Sequence, residues 1–196
     1  MSKTLYCIRH GLAQHNLNYT KYGVKTFYDK NYKDTRLVSQ GIQQAKTLRN
    51  NWSNINDIEL VLVSPLMRTL QTANILFKDK DIPIIALECV REFPMGLQTC
   101  NYRSSRREYE TKFPHIDFSD LKTNYDELWF PEREETIEEL TIRIEKMVKW
   151  ILLRKETNIA LVNHSSFIGQ LKDKEIKLLE NNEKELLHCF PYKLKL

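Results

Sequence analysis

Arg9-His10-Gly11, Ser64 with Arg68, and Asn163-His164-Ser165 concentrate the groups in this sequence that can handle an oxyanion. Arginine offers paired planar donors to a phosphate-like group, and histidine can donate to such a group or attack it. Each cluster directly follows a short apolar run: Thr4 to Ile8, Leu60 to Val63 and Ile159 to Val162. Runs of this kind predict buried strands. In open α/β sheets, ligands bind beyond the carboxyl ends of strands, where the next helix offers free N–H groups and a positive dipole end. If the three strands are parallel neighbours, two arginines and two histidines surround one anion, and phosphate is the natural guest. Taken singly, each of these residues would pass for a solvated charge or a structural histidine. Their joint arrival at strand ends is what points to a site.

Other segments must position those strand ends. Val38, Ile42, Ala45, Leu48 and Trp52 share one face of a helix. Ser64-Pro65 resembles an N-cap followed by proline at the first helical position, with Leu66, Leu70, Ala73 and Phe77 continuing that helix. Ile82 to Leu87 predicts a third strand. The stretch 93–135 mixes Arg, Tyr, Pro and acids with weak periodicity and is expected to be an inserted lid. Thr136 to Leu153 predicts a long helix with Ile137, Leu140, Ile144, Met147 and Ile151 facing inward. A further helix is expected from about Ser166, and an edge strand over Tyr192–Leu196. Strands alternating with helices predict a single α/β domain over residues 1–196.

Composition narrows the classes further. The 196 residues are 41% hydrophobic and 29% charged, a globular balance with enough chain for a real core. The net charge of +4 is too small to imply a nucleic-acid or membrane partner. No apolar run reaches the roughly 20 residues a membrane helix needs, and the five apolar-leaning residues before Arg9 are too short a run for a signal h-region, so no signal peptide is expected. The four cysteines, Cys7, Cys89, Cys100 and Cys189, are scattered and are expected to be free thiols in a reducing compartment. One of three glycosylation sequons, at Asn163, overlaps the proposed site. Both features lead us to expect a cytoplasmic location. No H-E-x-x-H motif or Asp-rich cluster suggests a metal, and no cofactor is expected.

The motifs resemble those of a known family. Arg9-His10-Gly11 followed by Asn16 is similar to the R-H-G-x-x-x-x-N signature of the histidine phosphatase (phosphoglycerate mutase-like) superfamily. Leu37 to Ala45 resembles that family's L-T-x-x-G-x-x-Q-A segment, and Ser64 to Ala73 its S-x-x-R-x-x-Q-T-A segment. Asn163 to Phe167 is similar to its second-histidine motif. Arg91-Glu92, Cys100-Asn101, Phe113-Pro114 and Glu127-Leu128-Trp129 resemble the plant and fungal phosphoglycerate mutase-like branch. Leu12 stands where relatives carry Glu or Gln, Ser166 stands where they carry Gly, and the match fades in the Lys/Glu-rich chain after Leu171.

The resemblance implies a three-layer α/β/α sandwich with a mostly parallel sheet. It implies a phosphatase that acts on a small phosphorylated metabolite through a phosphohistidine on His10. Arg9, Arg68 and His164 would surround the phosphoryl oxygens, Asn16 would add a neutral donor, and Glu92 would serve as the acid, with Glu88 its rival. In the expected lid, Arg103, Arg106, Arg107 and Lys112 would bind a second anionic group of the substrate, or form a solvated basic face with Glu108 and Glu110. His15, His115 and His188 are expected to be structural or surface residues, with His15 within reach of the pocket rim. A silent phosphate-binding module and a phosphoglycerate mutase are the alternatives.

Overall fold

The computed structural model describes residues 2–173 and 186–196. The principal elements are β1 (Thr4–Arg9), α1 (Gln14–Tyr22), α2 (Lys25–Tyr28), α3 (Ser39–Asn51), β2 (Leu60–Val63), α4 (Met67–Phe77), β3 (Ile84–Ala86), α5 (Arg106–Lys112), α6 (Ile137–Leu152), β4 (Asn158–Asn163), α7 (Ser165–Asp173) and β5 (Pro191–Lys195). The strands form one sheet in the order β3-β2-β4-β1-β5. β1, β2, β3 and β4 run parallel, and β5 pairs antiparallel with β1 at the edge.

Strand side chains alternate between faces, and both faces are covered, so these strands are apolar throughout. Tyr6, Ile8, Val61, Val63, Ala160 and Val162 pack with Ala45 and Leu48 of α3, Leu70 and Ala73 of α4 and Tyr109 of α5. Leu5, Cys7, Leu60, Leu62, Ile159 and Leu161 pack on the other side with Leu140, Ile144, Met147 and Ile151 of α6 and Phe167 of α7. The result is a helix–sheet–helix sandwich, as expected. The four cysteines are free, and no helix among the described residues is long and apolar enough to cross a membrane.

Two local expectations need correction. α4 begins at Met67, not after Ser64. Its cap comes from far away in the chain: the buried Asp34 carboxylate accepts from Met67 N at 2.7 Å, Ser104 N at 3.1 Å and the Tyr109 hydroxyl at 2.6 Å. Ile137 does not face inward. It is the first residue of α6, beside a Thr136–Glu139 capping box, and is 47% exposed. Removing the Asp34 carboxylate leaves the buried Met67 N–H and Tyr109 hydroxyl without that acceptor, while Ser104 N keeps its bond to the Tyr109 hydroxyl. Asp34→Ala should therefore lower stability by about 3 kcal/mol. In a chain of this size that is a fall of roughly 6–12 °C in Tm, measurable by calorimetry.

The stretch 93–135 is tied down by a buried charge network. Arg91 makes a bidentate pair with Asp126, at 2.8 and 2.6 Å, and donates to Asn101 O. Tyr109, Phe113, Ile116, Phe118 and Leu121 from this stretch join the core beneath α4. Its beginning, Phe93 to Asn101, borders a cavity of about 800 Å³.

Candidate active site

The sheet order determines what meets. β1 lies beside β4, with Arg9 in register with Asn163, and β2 lies on the other side of β4. The carboxyl ends of β1, β4 and β2 are therefore adjacent, and His10, His164 and Ser64 emerge together. The His10 and His164 ring centroids are 5.2 Å apart. Both side chains are buried, and Arg68 is fully enclosed.

The other motif residues build the frame around this cluster. Gly11 and Gly41 face each other so closely that a Cβ on Gly11 would sit 2.4 Å from Gly41 O. One on Gly41 would sit 2.1 Å from Leu12 O. This is close backbone approach, which only glycine permits. Thr72 Oγ1 accepts from Gly11 N at 3.1 Å, Gln44 Oε1 from Leu12 N at 2.8 Å, and Gln71 Oε1 from Leu37 N at 2.8 Å. These polar side chains fasten the loop that carries His10. Gly41→Ala should displace that loop by about an ångström and lower kcat/KM on the order of 100-fold, with a smaller loss of stability. Steady-state kinetics beside a thermal melt would separate the two effects.

His10 Nδ1 lies 2.7 Å from Gly11 O. A carbonyl can only accept, so Nδ1 carries the proton and Nε2 presents its lone pair. Burial holds the His10 imidazole well below the ordinary histidine range, with Arg68 and His164 adding to the effect. The ring is therefore neutral and nucleophilic near pH 7. Arg68 is aimed by the insert: its guanidinium donates to Cys100 O at 2.8 Å and to Asn101 Oδ1 at 2.9 Å. Arg9 donates to Leu186 O at 2.7 Å. His164 Nε2 lies 2.8 Å from Ser64 Oγ, and its backbone N–H is taken by Asn163 Oδ1 at 2.7 Å. Burial and then Arg68 push the His164 ring well below its usual pKa. Burial thus favours the neutral ring, and the negative charge of a phosphate dianion beside it would favour the protonated one. Among the described residues, Arg68 Nε, Asn163 Nδ2 and His164 Nδ1 are buried without a hydrogen-bond partner. Buried polar nitrogens without a protein partner call for an explanation, and an anion held at this set of strand ends supplies one.

Glu92 belongs to the same cluster. Its Oε2 lies 3.9 Å from His164 Nδ1, and its Oε1 accepts from Phe93 N at 2.9 Å. Burial raises its pKa above the ordinary carboxylate value, against the opposing pull of Arg68. Glu88 is bound elsewhere, to Arg91 and Arg103, which removes it as a rival. Asn16 lines the cavity and accepts from Ala13 N at 3.2 Å.

Arg103 is not in the site. It is 1% exposed, and its guanidinium donates to Glu88, Ser104 O, Asn124 O, Thr123 O and Tyr125 O. All its donors are used within residues 88–125, so it has none left for substrate. Arg106 pairs with Glu110, and Lys112 with Glu108, on the surface. Ser166 takes ordinary helical backbone within α7, without positive φ, so the departure from Gly causes no strain.

One histidine set aside in the sequence belongs to the site. His188 Nδ1 lies 2.6 Å from His10 O, and its ring centroid is 5.5 Å from that of His10. The clue was topological: an antiparallel edge strand beside β1 carries the residues just before it to the carboxyl end of β1. His15, at 6.2 Å from His10 between ring centroids, is buried and bonded to Thr35 Oγ1 at 2.5 Å. Among the described residues, no group of three or more His, Cys, Asp or Glu side chains could hold a metal ion.

Comparison with known proteins agrees with this geometry. The family model for the histidine phosphatase superfamily (branch 1) matches residues 5–179. That is further than Leu171, although residues 174–185 of the Lys/Glu-rich run lie outside the described ones. A phosphoglycerate mutase-like protein of Arabidopsis thaliana is 34% identical over 86% of this chain and 73% of its own. A mycobacterial hydrolase superposes with a TM-score of 0.64 at 18% identity, over 100% of this chain and 92% of that one. The α-ribazole phosphatase of Shigella flexneri gives 0.59 at 22%, over 88% and 79%. At these identities the two solved structures speak for the fold alone, whereas the family model spans most of the sequence. The chain belongs to the histidine phosphatase superfamily.

Proposed function

We propose that this protein hydrolyses phosphomonoesters of a small phosphorylated metabolite through a phosphohistidine on His10. The observation that carries this is His10 itself: neutral, its tautomer set by Gly11 O, and 5.2 Å from a second buried imidazole. The His10 Nε2 lone pair attacks phosphorus, and the bond to the ester oxygen breaks. Arg9, Arg68 and His164 hold the non-bridging oxygens, where charge sits during transfer. Glu92 gives its proton to the departing oxygen. Its carboxylate then takes a proton from water, which attacks phosphorus and breaks the P–N bond, releasing phosphate and free His10. The positive charge comes from side chains, so a chelator should leave the rate unchanged.

Metal-free assays on a panel of phosphomonoesters, together with acid-labile labelling of the protein, test this reading. Tight phosphate binding without turnover of any ester would leave a silent module, and isomerisation of phosphoglycerate would make it a mutase. The pH profile adds a further check. His10 must be neutral, so kcat/KM rises with pH through a value below the ordinary 6.5. Glu92 must be protonated, so kcat/KM falls again through a value above 4.5. Glu92→Gln should remove the falling limb and lower kcat by roughly 10²–10⁴-fold for esters with poor leaving groups.

A further inference from the structure

The cavity outside the phosphate cluster has its own chemistry. It encloses about 800 Å³, far more than one phosphoryl group fills and within the range of pockets that hold drug-sized ligands. Tyr19 and Phe27 form one wall, their rings stacked 5.0 Å apart and 5° from parallel. Leu12, Phe93 and Leu187 add apolar surface. Tyr19 lines the cavity and is 47% exposed, so its ring is not used up by packing within the protein. His188 lies between wall and phosphate end. Its Nδ1 proton is committed to His10 O at 2.6 Å, so Nε2 is an acceptor, and no described residue donates to it. Burial and Arg9 pull this ring down to about 4, so it is neutral near pH 7 and does not attract a second anion. Four of the six cations in the stretch 93–135 are held by acids: Arg103 by Glu88, Arg106 by Glu110, Lys112 by Glu108 and Arg133 by Glu139.

Resting on the phosphatase reading, we infer that the substrate is the phosphate ester of a neutral alcohol whose body carries a ring and a hydrogen-bond donor. The ring lies on the Tyr19–Phe27 wall, and the donor reaches His188 Nε2. A phosphorylated hydroxy acid, whose carboxylate would take the place of the ring against the Tyr19–Phe27 wall and the His188 acceptor, is disfavoured.

The test compares three esters of primary alcohols, so that leaving groups are matched: tyrosol phosphate, phenethyl phosphate and phosphoglycerate esterified at its primary hydroxyl. The intact chain should prefer the ring esters by roughly tenfold or more in kcat/KM. Tyr19→Ala should reduce that preference roughly tenfold through KM, and His188→Ala should erase the advantage of the hydroxylated ring over the plain one. Tyr22→Ala, on the same helix but outside the cavity, is the control. A preference for phosphoglycerate, or one that Tyr19→Ala does not move, would overturn the inference while leaving the hydrolase standing. If no ester is turned over, the hydrolase fails instead. Calorimetric titration of the same three esters into His10→Ala protein then decides the inference by affinity.

Discussion

His10→Ala should reduce kcat on the order of 10⁵–10⁶-fold, because it removes the atom on which the covalent intermediate forms. The acid-labile phosphoryl label should vanish with it. Binding should survive. Arg9, Arg68 and His164 are supported by Leu186 O, Cys100 O, Asn101 Oδ1 and Ser64 Oγ, none of which depends on the His10 ring. Inorganic phosphate should therefore still bind the variant, with an affinity within about tenfold of the parent. The fold should hold as well, since among the described residues the ring hydrogen-bonds to its neighbour's carbonyl alone. Retained label or retained turnover in this variant would place the nucleophile elsewhere.

Arg68→Ala should cost at least 10³-fold in kcat/KM, about 4 kcal/mol, the upper end of what one preorganised donor supplies. Arg68→Lys should recover only a small part. An ammonium keeps the charge but cannot donate to Cys100 O and Asn101 Oδ1 while presenting a planar edge to phosphate. The pH profile should shift too. Arg68 is a leading electrostatic cause holding His10 and His164 down, and it also opposes the rise at Glu92. Without it, all three groups protonate more readily. The rising limb moves to higher pH because His10 loses its neutral form sooner on acidification, and the falling limb moves up because Glu92 keeps its proton longer. A profile that loses height without moving would show that Arg68 acts on substrate alone.

The site was legible in sequence to the extent that its logic is local. His10, Arg68 and His164 follow or open elements whose apolar periodicity is strong, so strand order alone was needed to bring them together. Leu12 and Ser166 looked like departures that weaken the site, yet Leu12 becomes part of an apolar wall and Ser166 sits in unstrained helix. What could not be read depended on partners distant in the chain. Ser64-Pro65 imitates a helix start because the real cap, Asp34, is visible only in space. Arg103 looks like a substrate ligand because nothing in its sequence neighbourhood shows that carbonyls from residues 104 and 123–125 and the Glu88 carboxylate consume its donors. Glu88 and Glu92 are equivalent as sequence, and only the arginines that engage the first separate them. His188 has no motif at all, and the geometry of an edge strand makes it part of the pocket.

The pairing of β1 has a consequence for how the molecule is made. β1 is made before the other strands of the sheet, yet its two neighbours are β4 and β5, with Thr4 opposite Asn158 on one side and Lys195 on the other. An apolar strand with both edges open must wait about 150 residues, until β4 has been made, before either edge is satisfied. Closing so long a loop makes such a sheet slow to assemble, and the unpaired strand is the natural point of misassociation while it waits. Nascent chains stalled before residue 158 should therefore need a chaperone to stay dispersed, and catalytic competence should appear only as the last strand docks.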